Sequence, residues 1–134
     1  MSKIAVSTDH APGAIGPYSQ AVKIGHLVFC SGQIALDPKT GELVQGGIEA
    51  ETARVLDNLA AVLTAAGGSF GDVVRTTIYL TDLSHFGAVN RLYEQRVGVP
   101  PPARTTIQVA ALPRGGLVEI DAIAHIGKAS SPAT

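Results

Sequence analysis

From Arg104 to Ile126 the chain alternates residue by residue through two runs separated by Pro113-Arg114-Gly115-Gly116. A period of two belongs to a strand, whose successive side chains point to opposite faces; a helix repeats near 3.6. The pattern predicts strands over 104–112 and 117–126, joined by the Pro-Gly turn. In the second run Val118, Ile120, Ala122, Ala124 and Ile126 form a core side, and Glu119, Asp121, Ile123 and His125 the other. In the first run Thr105, Ile107, Val109 and Ala111 read as the core side. Arg104, Thr106, Gln108 and Ala110 then share the opposite face with Glu119 and Asp121. A chain with this pair must build a sheet with one buried face and one that carries charge.

The remaining segments supply the cover. Thr52, Leu56, Leu59, Leu63 and Ala66 recur at threes and fours, which predicts a helix over 48–66 stopped by Gly67-Gly68. A second helix runs from a cap at Asp82 or Ser84 to about Arg96, with Phe86, Val89 or Asn90, and Tyr93 as its repeat. Strands are predicted over 2–7, 17–24, 27–36 and 72–80, the second and third forming a hairpin through Gly25-His26. The order β-β-β-α-β-α-β-β gives an α+β fold: one mixed sheet with two helices packed on one face.

The length, 134 residues, suits one domain over 1–127, with the small, polar tail 128–134 expected to be disordered. Net charge is −1, with no basic stripe, which argues against nucleic-acid binding. No apolar run reaches the ~18 residues of a membrane span. The first residues lack a signal-peptide pattern, and Cys30 has no partner for an intrachain disulfide; both point to the cytoplasm. Cys30 reads as a small buried hydrophobe that points away from Ser31. His10, His26, His85 and His125 are scattered, so no metal is expected.

The charged sheet face also carries aliphatic residues; Ile78, Leu80 or Val28 are candidates, depending on register. Such a face calls for a cover, and other subunits are the expected one. A cleft between subunits, lined by Arg104, Glu119 and hydroxyls, suits a small molecule. The planar fork of Arg104 matches a carboxylate, although a surface Arg capping a strand end fits the same position.

Four segments in order carry a family likeness: Gly16-Pro17-Tyr18-Ser19-Gln20-Ala21, Cys30-Ser31-Gly32-Gln33-Ile34, Val89-Asn90-Arg91-Leu92-Tyr93-Glu94, and Pro102-Ala103-Arg104 with Val118-Glu119-Ile120-Asp121-Ala122-Ile123-Ala124. Over residues 3–127 the chain resembles the Rid family (RidA/YjgF-type) of reactive-imine deaminases. The resemblance implies a chorismate-mutase-like homotrimer with sites at the subunit interfaces. It implies hydrolysis of short 2-imino acids, such as 2-iminobutanoate and 2-iminopropanoate, to 2-oxo acids and ammonia, with no metal or organic cofactor. Such an enzyme would shield pyridoxal-phosphate enzymes from these intermediates.

By the same likeness Arg104 grips the substrate carboxylate and Glu119 positions or activates water. Tyr18, Ser31 and Asn90 line the pocket, which the backbone of Gly32, Gln33 and Ile34 helps to close. Each has a plainer alternative: an intersubunit ion pair for Glu119, interface packing for Tyr18, a turn or bulge for Ser31, a helix–strand hydrogen bond for Asn90. Two departures bear on substrate preference. Thr105-Thr106 replaces a small residue followed by Cys or Ala, and Thr106 shares Arg104's side. The Pro-rich segment between Tyr93 and Pro102 is shorter than in typical members. Endoribonuclease or translation-inhibitor activity, and a metabolite-binding or holdase role without turnover, are the rival readings.

Overall fold

The structure, a computed structural model, describes residues 2–127; the expected disorder of the tail at 128–134 lies outside them. Six strands form one mixed sheet: β1 (Ile4–Val6), β2 (Ala21–Ile24), β3 (Leu27–Gln33), β4 (Val73–Leu80), β5 (Ala103–Gln108) and β6 (Val118–His125). Their order across the sheet is β1-β2-β3-β6-β4-β5. Only β4 and β5 run parallel; the other neighbours are antiparallel. Helix α1 (Gly47–Ala65) precedes β4 and helix α2 (Phe86–Val97) connects β4 to β5.

The stripe expected on α1 is the buried one: Thr52, Leu56, Leu59, Leu63 and Ala66 all lie inside. Burying each of its leucines contributes about 1.5–3 kcal/mol. Gly67, at φ 96°, ends the helix and lets the Gly68 N–H return to the Leu63 carbonyl at 2.9 Å. Val118, Ile120, Ala122, Ala124 and Ile126 pack beneath the helices, as their alternation requires.

Two polar side chains of α1 reach out of this core to fix neighbouring chain. The Asn58 amide donates to the Ile34 and Leu36 carbonyls at 3.2 and 3.0 Å. Glu51 Oε1 accepts from the Leu117 N–H at 2.8 Å. α1 thereby holds both the exit of β3 and the entry to β6.

Four strands fall short of expectation by three residues or more, β1 keeping only Ile4–Val6 of the predicted 2–7. The segment 17–20 is a loop rather than strand, because buried Gln20 turns its side chain inward. Its amide donates to the carbonyls of Thr8, Ala11 and Pro12, and its oxygen accepts from the Thr8 N–H. β3 stops at Gln33. β5 stops at Gln108 because β4 ends opposite it; the Val109 N–H makes the last bond, to the Leu80 carbonyl.

The face assignment of β5 is inverted relative to expectation. Arg104, Thr106 and Gln108 pair with Thr76, Ile78 and Leu80, which are buried under the helices. Partners in a ladder share a side, so Arg104 and Thr106 point toward α2. Glu119 and Asp121 pair with Tyr79 and Thr77 and point away from the helices. The apolar content of that outer face is also different. Val28, Ile78 and Leu80 are core residues. Val22, Phe29 and Ile123 lie side by side across the outer face, flanked by Leu27, and Ile107 shares that face on β5 beside Tyr79. Phe29 is 43% exposed and Ile107 41%.

Candidate functional site

An open cavity of about 540 Å³ lies where the outer face meets the loops before β2 and β6. Tyr18, Ser31, Gly32, Ile34 and Glu119 all line it, which brings together five of the eight site residues expected from sequence. Pro12, Ile15 and Arg114 complete much of its wall.

A β-bulge shapes the floor. Between Cys30 and Gln33 the strand advances three residues while its partner β6 advances two, from Ala122 to Ile120. The extra residue breaks the ladder at Ser31-Gly32, as bulges beside functional sites do. The Ser31 hydroxyl donates to the Ser19 carbonyl at 2.7 Å, and the Ser31 N–H to the Gln20 carbonyl at 3.0 Å. The hydroxyl proton is therefore committed, and its oxygen remains an acceptor. Gly32 is demanded by close approach: a Cβ there would overlap the Glu119 carboxylate and lie 2.8 Å from its Cδ. Cys30 is buried and turned away from Ser31, as expected, and burial above all, with the charge of Asp121 second, pushes its thiol up to about 12.

Glu119 is half-buried, and desolvation raises its carboxyl above the usual range; the negative Asp121 beside it adds to the effect. Asp121 is held by two donors, the Thr77 N–H at 3.1 Å and the Tyr79 hydroxyl at 2.9 Å. Hydrogen bonding to Asp121 is also the main reason the Tyr79 phenol is raised. Glu119 is thereby pushed toward the protonated form, so it can give a proton as well as take one.

Arg104, Asn90 and Thr106 are not in this cavity. Arg104 donates to Asn90 Oδ1 at 2.7 Å, and its guanidinium carbon lies 5.1 Å from the Tyr93 ring centroid and 5.4 Å from that of Phe86. Tyr93 is itself fixed by a 2.6 Å bond between its hydroxyl and Thr76. The helix–strand hydrogen bond foreseen for Asn90 is thus with the arginine. Thr106 Oγ1 is buried with no hydrogen-bond partner. Two aromatic faces and one amide hold the guanidinium in place while leaving most of its donors free for a planar anion.

The candidate site therefore consists of two walls on opposite faces of one sheet, with β4 between the strands that carry Arg104 and Glu119. Two contributors escape a sequence reading. Gln20, inside a quoted motif, organises the cavity loop. Arg114 looks like a turn residue between Pro113 and Gly115, yet it lines the cavity. No group of three or more metal-ligating side chains occurs among the described residues. Within them no helix is long and apolar enough to cross a membrane.

The family profile described as endoribonuclease L-PSP matches residues 8–126. The chain belongs to that family, the Rid family. Within it, protein DfrA of Myxococcus xanthus is 56% identical over 126 residues, spanning 92% of this chain and 96% of its own. The 2-iminobutanoate/2-iminopropanoate deaminase of Mus musculus is 51% identical over 122 residues, 91% of this chain and 90% of that one. The crystal structure of RidA from the Antarctic bacterium Psychrobacter superposes with a TM-score of 0.89 at 48% identity, over 92% of this chain and 99% of that one.

Proposed function

We propose that this Rid-family chain is a hydrolytic deaminase of short 2-imino acids, 2-iminobutanoate and 2-iminopropanoate, working in the cytoplasm as a chorismate-mutase-like homotrimer. The observation that carries the reading is the division of the site. A carboxylate grip and an acid–base carboxyl are each well built, but on opposite faces of one sheet. A second copy, laid with its Arg104 wall over the cavity of the first, would unite them. Support for such packing comes from the exposed apolar row Val22, Phe29 and Ile123 beside the cavity. Relatives at about half identity that carry the deaminase name support the reaction.

The chemistry follows from the residues. Arg104 of one subunit takes the substrate carboxylate, prealigned by Asn90, Tyr93 and Phe86. Glu119 of the next, raised toward its protonated form, gives a proton to the imine nitrogen. The protonated imine is electrophilic enough to need no further activation. The resulting carboxylate then accepts a proton from the water that adds to the imine carbon. Ammonia leaves, and a 2-oxo acid remains. Tyr18 and the Ser31 oxygen border the reacting atoms, and Thr106 offers its unpartnered hydroxyl on the Arg104 wall. Ile34 and the Gly32 backbone close the cavity floor.

The test generates 2-iminobutanoate from threonine with a dehydratase and follows 2-oxobutanoate release while semicarbazide competes for the imine. Wild type restores release, and Arg104→Ala does so about ten- to a hundredfold less efficiently. If neither does, with both folded and oligomeric, the deaminase reading is wrong. RNA cleavage by pure protein that survives Arg104→Ala would replace it with the nuclease activity in the family's description.

A further inference from the structure

Arg114 is the one described residue other than glycine with a positive φ, 61° with ψ 18°. A side chain held in the left-handed region costs backbone energy, and such residues gather at functional sites. Glycine follows at 115 and 116, so the turn had an easier residue at hand. The strained backbone sets the side chain on the wall of the cavity that also holds Glu119.

The partners of Arg114 set it apart from the other arginines. Arg54, Arg75, Arg91, Arg96 and Arg104 each bond a side chain of Asn, Thr, Glu or Asp. Among the described residues Arg114 donates only to the Gly41 carbonyl, at 3.2 Å. That bond anchors one nitrogen and leaves the rest of a five-donor fork open. No carboxylate lies within ion-pair distance of it among the described residues. Among the described residues, Arg114 and Glu119 are the two charged side chains of the cavity. A guanidinium stays charged at any working pH and moves no proton. Its contribution to the cavity is a fixed positive charge with donors to spare.

We propose that Arg114 forms a second anion subsite, and that this chain hydrolyses 2-imino acids bearing a second carboxylate. The inference rests on the deaminase reading, in which the carboxylate next to the imine goes to Arg104 of another subunit. Arg114 then meets the acid group at the far end of the substrate. Water adds to the C=N carbon, the C–N bond breaks, ammonia leaves and a 2-oxo dicarboxylate remains; nothing is oxidised or reduced. The supplying reaction is the oxidation of an acidic amino acid to its imine by an amino-acid oxidase or dehydrogenase.

The experiment compares 2-iminosuccinate and 2-iminoglutarate, formed in situ by an oxidase, with 2-iminobutanoate, for wild type, Arg114→Asn and Arg114→Lys. Asn tolerates the left-handed backbone, and a melting curve checks that each variant folds. In Arg114→Asn the ratio of kcat/KM for the better dicarboxylate to that for 2-iminobutanoate falls by about ten- to a hundredfold, the worth of one charge-assisted hydrogen bond. Arg114→Lys, keeping the charge but not the fork, falls between. Titration calorimetry with 2-oxoglutarate and 2-oxobutanoate gives a readout independent of turnover: wild type prefers the dicarboxylate, and Arg114→Asn loses the preference. Equal losses on all substrates, or equal affinity of wild type for the two oxo acids, overturns the subsite. Failure on 2-iminobutanoate with the dicarboxylate preference intact in calorimetry overturns the deaminase reading instead.

Discussion

The two walls of the site are built by different means. The cavity wall is loop and bulge, stitched by side chains to backbone: Gln20 to Thr8, Ala11 and Pro12, Ser31 to Ser19, Asn58 to Ile34 and Leu36. The polar groups that shape its loops and bulge have their partners within the subunit, while most of the Arg114 fork stays open. The Arg104 wall stands on a helix and an edge strand, held by ring faces and one amide. It keeps unspent capacity, in the guanidinium and in the buried Thr106 hydroxyl. The first wall is complete as a piece of structure and the second is complete only as a holder. Under the proposed function, a site assembled from both would put rigidity where the proton moves and open donors where the substrate is gripped.

The comparison is broken most severely by disabling each wall in turn. Glu119→Gln lowers kcat by about 10²–10⁴, the usual worth of a general acid–base group, whereas Arg104→Ala lowers kcat/KM by about ten- to a hundredfold. Mixing the two impaired variants after dissociation and reassembly raises activity to about a quarter of wild type, since random assortment pairs intact walls at that frequency. If the mixture stays at the mean of the two variants, each site draws both walls from one subunit. Gly32→Ala comes next. Its methyl displaces the flexible Glu119 side chain, so activity falls with the Arg104 wall untouched, while the midpoint of chemical denaturation moves little.

Asp121→Asn is gentler. It removes the negative charge that helps raise Glu119, so the Glu119 pKa falls. The protonated form is then lost at lower pH, and the alkaline limb of the kcat profile moves down. Tyr79, Arg75, Arg114, Tyr18 and Cys30 share the surroundings, but none replaces that charge. An unmoved limb would remove Asp121 from the tuning of Glu119.

The smallest effect belongs to Glu51, whose carboxyl is raised chiefly by burial. A raised folded-state pKa means that the fold disfavours the ionised form, so stability is lost as pH rises through that pKa. Glu51→Gln keeps an acceptor for the Leu117 N–H without the charge. Its melting temperature therefore exceeds that of wild type at pH 7, and the advantage fades as pH falls through the Glu51 titration. A constant difference across pH would assign the effect to packing.

The same contrast explains what the sequence discloses. β6 is legible because five apolar side chains alternate with acids and a histidine, and one face of a central strand must be buried. The α1 stripe is legible for the same reason. β5 misleads because it is an edge strand. Its inward side carries Arg104, whose cover is two rings from a different element, and its outward side carries Ile107, half exposed. Local alternation separates two sides; which of them lies inward depends on the crossover through α2. The bulge at Ser31-Gly32 has only a Ser-Gly pair to announce it. The special backbone of Arg114 hides inside an ordinary Pro-Xaa-Gly turn. Family likeness locates Tyr18, Ser31, Gly32, Ile34, Asn90, Thr106, Arg104 and Glu119, but says nothing of which wall each belongs to.

Cys30 neighbours Ser31 in sequence, behind the strand that floors the cavity. With its thiol held at about 12, roughly one molecule in 10⁵ carries a thiolate at neutral pH. The imine tautomers of the proposed substrates are electrophiles whose C=N carbon accepts soft anions such as a thiolate. A protein that handles them at every turnover needs its own sulfur to be a poor target. Seclusion beneath the sheet and a suppressed ionisation together keep that sulfur from adding to the compounds the chain would remove.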